Sequence, residues 1–345
     1  MSDVSYVNGV GAATGDFSVV AEIAVGQGAI SAIAISSDGG RLMATHYQND
    51  RVSVIASGDR PQVRSVLEAG EPFAVALAHT RRGYISTTST AYDSIVALDL
   101  NTDRVEAVYP VAHAVTDLAV SPNGRHLYAS RNAVNGADVA VLDTKTGRED
   151  AIAIAAAPGT TTECVRVSPD GNRLYVGING PSMAELLVID AHQKQVLSTI
   201  QISSPIRDVA VSPDGATAYV ASCAADFSAV LDVVDTRTGM VASTHKVGEI
   251  TGCLTQLALS RDGERGYLVS DESVMVLDTL TANVIASVAV GSQPSCVVES
   301  PDGSRLYISD YAGSVTVLAI TSYDEPTAPH HWALPDLPAL ESAMT

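Results

Sequence analysis

The chain is built from short runs in which apolar and polar residues alternate, and Pro, Asp, Asn and Gly separate these runs. Alternation with a period of two predicts half-buried β-strands, and no stretch of useful length has the period of an amphipathic helix. One strand–turn–strand signal, SPDGNRLYVG from Ser168, recurs along the chain. Related copies begin at Ser36, Ala78, Ser121, Ser212, Ser260 and Ser300, and the copy at Ala78 lacks the Pro-Asp-Gly.

The seven copies are spaced 42, 43, 47, 44, 48 and 40 residues apart. Repeats of this length made of short strands are typical of β-propellers, in which each repeat forms one four-stranded blade. In the third repeat, the four strands read TDLAVS, HLYAS, DVAVLDT and EDAIAIA, between residues 116 and 155. We therefore predict an all-β fold, a seven-bladed β-propeller with four-stranded antiparallel blades.

Two tight turns in each repeat have a structural explanation. In the first turn, Pro fixes φ, Asp or Asn bonds back to the backbone, and Gly adopts the left-handed conformation. The second turn recurs as Asp143-Thr-Lys-Thr-Gly147 and Asp235-Thr-Arg-Thr-Gly239, with a looser form from Asp278. Because the side chains of both turns satisfy backbone groups, we expect the turns to be structural and not catalytic.

The last repeat supplies only three strands, so its fourth must come from elsewhere. Residues 19–26 (VVAEIAVG) match residues 284–291 (VIASVAVG), the fourth strand of the sixth repeat, at five of eight positions. We predict that residues 17–26 form the outermost strand of blade seven and close the ring, which removes a free sheet edge. The predicted organisation is an N-terminal extension (1–16), one propeller domain (17–323) and a Pro-rich C-terminal tail (324–345). That tail either packs on the rim or a partner through Trp332 or is partly disordered.

Charge and hydropathy argue against two classes of function, nucleic-acid binding and insertion into a membrane. The net charge of −19 would repel a phosphate backbone, and the 20 Lys and Arg residues form no basic stripe, so we expect no nucleic-acid binding. The first residues lack the basic and apolar regions of a signal peptide, and no apolar segment is long enough to span a membrane. We expect a soluble, monomeric, cytoplasmic protein, with export possible only if this sequence lacks an N-terminal segment.

These repeats resemble the YVTN-type β-propeller repeats, named for a Tyr-Val-Thr-Asn tetrapeptide that follows the Ser-Pro-Asp-Gly turn. The matching positions, Tyr175-Val176-Gly177-Ile178 and Tyr219-Val220-Ala221-Ser222, keep the first two letters and not the last two. The resemblance covers about residues 17–320 and implies a bacterial propeller, from a family found in surface layers and in soluble or periplasmic proteins. A more distant likeness to lactonase-type propellers concerns the fold alone, and no catalytic motif carries over to this chain.

The two faces of such a disk differ in what they carry. One face, termed the turn face, should carry the two structural turns of each blade. The opposite loop face should carry the loops between second and third strands, the blade-to-blade loops and the mouth of the central channel. Binding residues concentrate on loops held by a rigid scaffold. The candidate ligand-binding residues on the loop face are His46, Asp50, Asp117, Arg131, Glu163, Arg207, Asp208, Asp226, Asp271, Asp310 and Tyr311.

Some of these candidates could form a metal or acid–base site across the channel mouth, namely His46, Asp117, Glu163, Asp208 and Asp310. Seven-fold symmetry makes almost any such set look convergent, so the pattern is weak. The residues that begin the innermost strands vary chemically, whereas the Val-Ala-Val segment that follows them is expected to be constant. No P-loop, dinucleotide fingerprint or nucleophile elbow is present, and no cofactor is predicted.

Four cysteines, Cys164, Cys223, Cys253 and Cys296, lie in repeats four to seven, and none has the spacing of a zinc ribbon. Cys223 and Cys253 could form a disulfide, which would stabilise the fold by about 3–4 kcal/mol through loop entropy. Free thiols throughout are the alternative, favoured by the lack of an export signal. Cys164 and Cys296 are expected to be small buried apolar residues.

Two functions from different classes fit these patterns. The first is a non-catalytic scaffold that binds a protein or a small ligand on the loop face around the channel. The alternative is a lactonase-type hydrolase or isomerase with a metal or a His/Asp/Glu site at the channel mouth. A structural role in a surface layer ranks third, because no export signal is visible. The sequence favours the scaffold and does not name its partner.

Overall fold

A computed structural model describes residues 4–5, 16–58, 60–78, 81–89, 92–134, 136–155, 158–247 and 254–321. Within these ranges the regular structure is almost entirely β-strand, and the one helical element is a 3₁₀ turn at Tyr47–Asn49. Neighbouring strands in every sheet are antiparallel, as the alternating pattern and short connections predict. No helix in these described ranges is long and apolar enough to cross a membrane.

The strands are numbered in chain order. Two precede the first blade, β1 (Val4–Ser5) and β2 (Phe17–Ala24). Blade one contains β3 (Ala32–Ile35), β4 (Arg41–His46), β5 (Arg51–Ala56) and β6 (Gln62–Glu68). Blade two contains β7 (Val75–Leu77), β8 (Arg82–Thr87), β9 (Asp93–Asp99) and β10 (Arg104–Val111). Blade three contains β11 (Ala114–Val120), β12 (His126–Ala133), β13 (Gly136–Asp143) and β14 (Glu149–Ala155).

The remaining blades follow the same plan. Blade four contains β15 (Thr161–Val167), β16 (Arg173–Asn179), β17 (Ala184–Asp190) and β18 (Gln195–Ile202). Blade five contains β19 (Ile206–Val211), β20 (Thr217–Cys223), β21 (Ala229–Asp235) and β22 (Met240–Val247). Blade six contains β23 (Leu254–Leu259), β24 (Arg265–Ser270), β25 (Val274–Asp278) and β26 (Val284–Val288). Blade seven contains β27 (Pro294–Glu299), β28 (Arg305–Asp310) and β29 (Ser314–Ile320), completed by β2 and β1.

The first strands of the blades form the inner ring of the molecule. Each packs against the first strand of the next blade, and the contact between β27 and β3 joins the last blade to the first. Seven blades of four antiparallel strands therefore form a closed ring, which confirms the predicted fold.

The ring is closed by β2, which pairs with β29 along its whole length from Phe17 to Ala24. Ile23 lies opposite Val315, just as Val288 lies opposite Val274 in blade six, so the matched residues of the two segments occupy equivalent positions in their blades. One detail of the prediction was wrong. The short strand β1 pairs with the far edge of β2, so β2 is the fourth strand of its blade but not the outermost. An unpaired edge exposes N–H and C=O groups, and β1 covers part of it.

The hydrophobic core lies between adjacent blades, where the second strand of six blades carries a buried tyrosine. These tyrosines are Tyr84, Tyr128, Tyr175, Tyr219, Tyr267 and Tyr307. The hydroxyl of Tyr307 donates to the carbonyl of Ser57 in blade one (2.9 Å), and the hydroxyl of Tyr267 donates to Glu299 in blade seven (2.5 Å). Each such bond joins a buried side chain to the next blade.

The first turn has the predicted geometry. The Ser168 hydroxyl donates to Asp170 (2.5 Å) and accepts from the backbone N–H of Arg173 (2.9 Å), and Gly171 has a φ of +75°. Equivalent hydrogen bonds and positive φ values recur in the repeats beginning at Ser36, Ser121, Ser212, Ser260 and Ser300. Only glycine adopts this conformation without strain.

The two turns of a blade are also bonded to each other. The hydroxyl of Thr144, in the second turn of blade three, donates to the carbonyl of Gly124 in the first turn (2.8 Å). Thr236 and Gly215 repeat this bond in blade five, and Thr279 and Gly263 repeat it in blade six. The turn face is therefore held by a hydrogen-bond pattern that repeats from blade to blade.

Candidate functional site

The loop-side ends of the inner strands carry the residues that the sequence placed at the channel mouth. In blades three, four and five, the pairing of the first and second strands shifts by one residue, so Thr116, Glu163 and Arg207 occupy β-bulges. A bulge changes the direction of the side chains around it. Asp117 and Asp208 directly follow two of these bulges.

Both aspartates connect neighbouring blades. Asp117 accepts from the N–H of Leu118 in its own strand and from that of Val165 in blade four, both at 2.9 Å. Asp208 makes the same pair of bonds, to Val209 (2.7 Å) and to Leu257 in blade six (2.9 Å). The two carboxylates thus satisfy backbone groups at two joins between blades.

Arg166, on β15 between the two aspartates, completes a cluster in the channel. Its guanidinium donates through Nη1 to Asp117 Oδ2 and through Nη2 to Asp208 Oδ1 (2.5 Å for the second bond). Burial raises the pKa of Asp208, and the Arg166 charge opposes that effect. Burial disfavours the charged guanidinium, yet the two carboxylates outweigh it and raise the pKa of Arg166. The cluster therefore joins one guanidinium to two carboxylates whose oxygens are already bonded within the protein.

Arg166 was missed because the segment after the strand start was taken to be constant, and that expectation was wrong. The fourth repeat reads Val165-Arg166-Val167. The equivalent positions of the other six repeats hold Ala34, Ala76, Ala119, Ala210, Ala258 and Val298. A single cation among small apolar residues at one repeat position is the signal that could have identified it.

Three other predicted site residues, His46, Asp310 and Arg131, are buried and bonded to neighbouring groups of the protein. His46 is fully buried, with Nδ1 at 3.1 Å from the Gly28 carbonyl and Nε2 at 2.9 Å from the Ser53 hydroxyl. Burial lowers the pKa of His46, which favours the neutral ring. Asp310 is also buried and accepts from the N–H of Ser314 (2.8 Å).

Arg131 is 3% exposed and is neutralised within its own blade. It forms a two-pronged ion pair with Asp138 (2.7 and 2.8 Å) and a third bond to Glu149 (2.6 Å). The Nε, Nη1 and Nη2 groups all donate to carboxylates, so this guanidinium is engaged inside the protein.

The remaining candidates lie at or near the surface of the loop face. Glu163 accepts from the Thr161 hydroxyl (2.7 Å), and Asp50 accepts from the N–H of Glu71 (2.7 Å). Asp226 pairs with Lys246 (3.0 Å) and accepts from the Ser228 hydroxyl (2.5 Å). Arg207 and Tyr311 are exposed, and Asp271 is half-buried in the loop of blade six.

Arg166 brings Asp117 and Asp208 together, whereas Asp50, Asp226, Asp271 and Tyr311 lie on four different loops. In the part of the chain that the structure describes, no group of three or more His, Cys, Asp or Glu side chains is placed to hold a metal ion.

The cysteines fall into two groups. Cys164 and Cys296 are buried free thiols, as predicted, and burial raises the pKa of Cys296 to about 12. Cys223 is buried at the end of β20. Its predicted partner Cys253 lies outside the described residues, as does the C-terminal tail with Trp332, so the disulfide and the docking of the tail stay predictions.

The loop face also carries large apolar side chains that were not selected from the sequence, apart from Tyr311. They are 42–91% exposed and comprise Tyr47, Phe73, Tyr92, Val134, Met183, Phe227 and Tyr311. Tyr47 and Phe73 meet edge to face, with ring centroids 6.2 Å apart. The chain has only three phenylalanines, and two of them lie at loop positions. That placement was the sequence signal for exposed apolar side chains on this face.

The chain resembles known proteins over most of its length, although no protein-family model matches it. It is 48% identical over 336 residues to the seven-bladed beta-propeller protein Rv1057 of Mycobacterium tuberculosis, covering 88% of this chain and 85% of the relative. Hydrazine synthase of Kuenenia stuttgartiensis matches with a TM-score of 0.77 over 93% of this chain and 100% of that chain; at 20% identity this shows the fold alone. The more specific YVTN and lactonase resemblances stay predictions. At this identity and coverage, the chain belongs to the family of seven-bladed β-propeller proteins represented by Rv1057.

Proposed function

We propose that this protein is a non-catalytic scaffold that binds a protein partner on its loop face. The observation that carries the proposal is the concentration of exposed large apolar side chains on that face. Outside the strands, seven such side chains belong to the loop face, whereas Leu280 is the turn-face example among the described residues. Exposed apolar groups gathered on one surface mark interaction sites.

The residue types support a protein partner. The chain has three phenylalanines, and two of them, Phe73 and Phe227, are exposed on the loop face. Phenylalanine is normally buried, because exposing it to water forfeits about 2 kcal/mol of transfer free energy. Aromatic side chains and methionine are enriched at the centres of protein interfaces, where they supply most of the binding energy.

Phe227 adds a second argument through its backbone. It is 66% exposed and has a φ of +63°, a conformation that is unfavourable for a bulky residue. Its N–H bonds to the carbonyl of Ala224 (2.9 Å), and Asp226 bonds to Ser228 beside it, so the loop holds this aromatic ring outward. Strained residues that expose a functional group are typical of binding sites.

The distribution of these residues favours a broad partner over a small ligand. They occupy the loops of blades one to five and seven, whereas the loop of blade six offers Asp271 and Glu272. A surface spread over six blades matches a protein interface better than a single pocket. Because Asp50 and Glu71 flank the aromatic pair, we expect a partner with an apolar centre and a basic rim.

The test compares two surfaces of the same protein. The loop-face variant combines Phe73→Ser, Phe227→Asn and Tyr311→Ser, and the control is Leu280→Ser on the turn face. A partner captured from cells of the source organism should bind the purified full chain and the control equally. It should bind the loop-face variant at least about tenfold more weakly, because a few interface anchors carry most of the affinity.

Circular dichroism and thermal unfolding should show that all three proteins are equally folded. Equal partner binding by the loop-face variant and the full chain would contradict the proposal. Loss of binding in the Leu280 control would assign the partner to the turn face instead.

A further inference from the structure

A cleft of about 510 Å³ opens on the turn face between blades two and three. Its lining includes four cations, Arg81, Arg82, Arg125 and Lys145, and two acids, Asp99 and Glu106, a balance of +2. The whole chain has 20 Lys and Arg residues and a net charge of −19. One fifth of the cations therefore surround one cleft in a strongly acidic protein.

The cations are only partly neutralised. Arg82 pairs with Glu106 through Nε (2.6 Å), while Arg125 lies 3.4 Å from Asp143. Arg81 donates to the neutral side chain of Asn101 (2.8 Å), and its Nε lies 3.5 Å from the Asp38 carboxylate. The Lys145 ammonium makes no hydrogen bond or ion pair with the residues that the structure describes. Guanidinium donors and a free ammonium thus remain available in the cleft.

A buried hydroxyl lies behind the wall of the cleft, next to two of the lining residues. Tyr84 is 1% exposed, and its hydroxyl is close to Arg82 and Thr144, yet it makes no hydrogen bond of normal geometry within the described ranges. At the equivalent place in blade seven, the Tyr307 hydroxyl donates to the Ser57 carbonyl. In blade three the matching carbonyl, that of Thr144, accepts a long bond from Tyr109 (3.4 Å) instead.

An unpaired buried hydroxyl costs free energy unless something else accepts its proton. Burial raises the pKa of Tyr84, so the hydroxyl remains a donor at neutral pH. A donor without an acceptor, next to four cations of which the Lys145 ammonium is unpaired among the described residues, lacks one kind of partner, an anion.

We propose that the cleft between blades two and three binds a small molecule through a phosphate group, held by Arg81, Arg82, Arg125, Lys145 and the Tyr84 hydroxyl. These donors come from the residue that precedes the second strand of blade two, from that strand itself and from both turns of blade three. A tetrahedral phosphate presents oxygens in several directions, which suits donors arranged around it better than a planar carboxylate does.

Size and charge argue for a small ligand. The cleft volume falls within the usual range of small-molecule sites, roughly 300–1,000 Å³. A nucleic acid or an anionic membrane would meet the rest of a chain with a net charge of −19, which repels extended polyanions.

The first experiment titrates inorganic pyrophosphate into the full-length protein at low ionic strength, using isothermal calorimetry. We expect saturable binding at one site. Lys145→Gln should weaken it about tenfold, because it removes a charge-assisted bond. Lys246→Gln removes the same charge from the loop face and should change the affinity less than about twofold. Equal weakening by both variants would indicate diffuse attraction and overturn the site.

The second experiment tests the hydroxyl. Tyr84→Phe should weaken pyrophosphate binding about tenfold while leaving the protein folded. Tyr307→Phe removes the equivalent hydroxyl in blade seven and should leave binding unchanged. Unaltered binding by Tyr84→Phe would overturn the role of the hydroxyl. Absence of pyrophosphate binding, equal affinity for citrate, or tighter binding of a short DNA duplex would each overturn the proposed ligand class.

Discussion

The two faces of this propeller differ in how their polar groups are satisfied. On the turn face, the same serine, acidic or amide residue, and left-handed glycine close one turn in six of the seven blades. On the loop face, the connections differ from blade to blade in length and composition, from the 3₁₀ turn of blade one to the acidic pair of blade six. The repeated face closes its own hydrogen bonds, and the varied face exposes aromatic rings.

Repetition within one chain therefore records what every blade needs in order to fold. Where one blade has a different residue from the others, that position either is not needed for the blade to fold or serves a second role. Arg166 departs where other blades have Ala or Val, and it joins three blades. Tyr84 keeps the repeated side chain but lacks the interblade bond that the Tyr267 and Tyr307 hydroxyls make. Variants at such positions should separate departures that stabilise the fold from departures that leave groups free for binding.

The largest effect should come from opening the ring on which both faces depend. Deleting residues 1–26 removes β2, with seven residue pairs to β29 and the buried side chains of Phe17 and Ile23. We expect a loss of about 5 kcal/mol or more, close to the total stability of many domains, and aggregation in gel filtration. Of the residues that the structure describes, deleting 1–15 removes the short β1, so the melting temperature should be nearly unchanged. Two equally stable deletions would contradict closure by β2.

The channel cluster should produce the next largest effect. Arg166→Leu leaves the buried carboxylate of Asp208 without its counter-charge, which should cost about 3–5 kcal/mol in urea unfolding at pH 7. Burial already raises the pKa of Asp208, and losing the guanidinium raises it further. The folded variant then holds the proton at a higher pH than the unfolded chain, so its stability falls as pH rises.

The cost of Arg166→Leu should accordingly be smaller at pH 5 than at pH 8. Arg207→Leu removes an exposed arginine at the neighbouring bulge and should change stability by less than about 0.5 kcal/mol. A stable Arg166 variant with no pH dependence would mean that the cluster does not hold the blades together.

A third pair of variants compares the faces directly. Ser168→Ala leaves the N–H of Arg173 without its acceptor and should destabilise by about 1–2 kcal/mol. Phe227→Asn replaces an exposed ring with a residue that tolerates positive φ, so stability should be unchanged or slightly higher. Urea midpoints with a constant slope would measure both effects. A loop-face variant that costs more than the turn variant would reverse the assignment of structural and binding roles.

The sequence predicts the fold of this protein better than it predicts the candidate site. Period, turn chemistry and the match between two segments are local patterns, so they predicted seven blades, both turns and closure of the ring by β2. The site depends on which residues meet across blades, and a single sequence does not contain that information. His46 looked like a ligand because of its residue type, but it is buried between Gly28 and Ser53. Arg166 was overlooked because its neighbours in the repeat suggested a small side chain.

The smallest predicted effect separates two tyrosines at equivalent places in the repeat. Tyr307→Phe removes a hydroxyl that donates to the Ser57 carbonyl, so it should cost about 1 kcal/mol in urea unfolding. Tyr84→Phe removes a buried hydroxyl without a partner of normal geometry, so stability without ligand should be unchanged or slightly higher. Both changes delete the same atom from similarly buried rings, so packing cannot explain a difference between them. If both variants lose equal stability, the Tyr84 hydroxyl is bonded within the protein and the turn face has no unsatisfied donor in this cleft. If only Tyr307→Phe loses stability, the repeat contains one hydroxyl that the fold does not need, and its retention calls for a ligand.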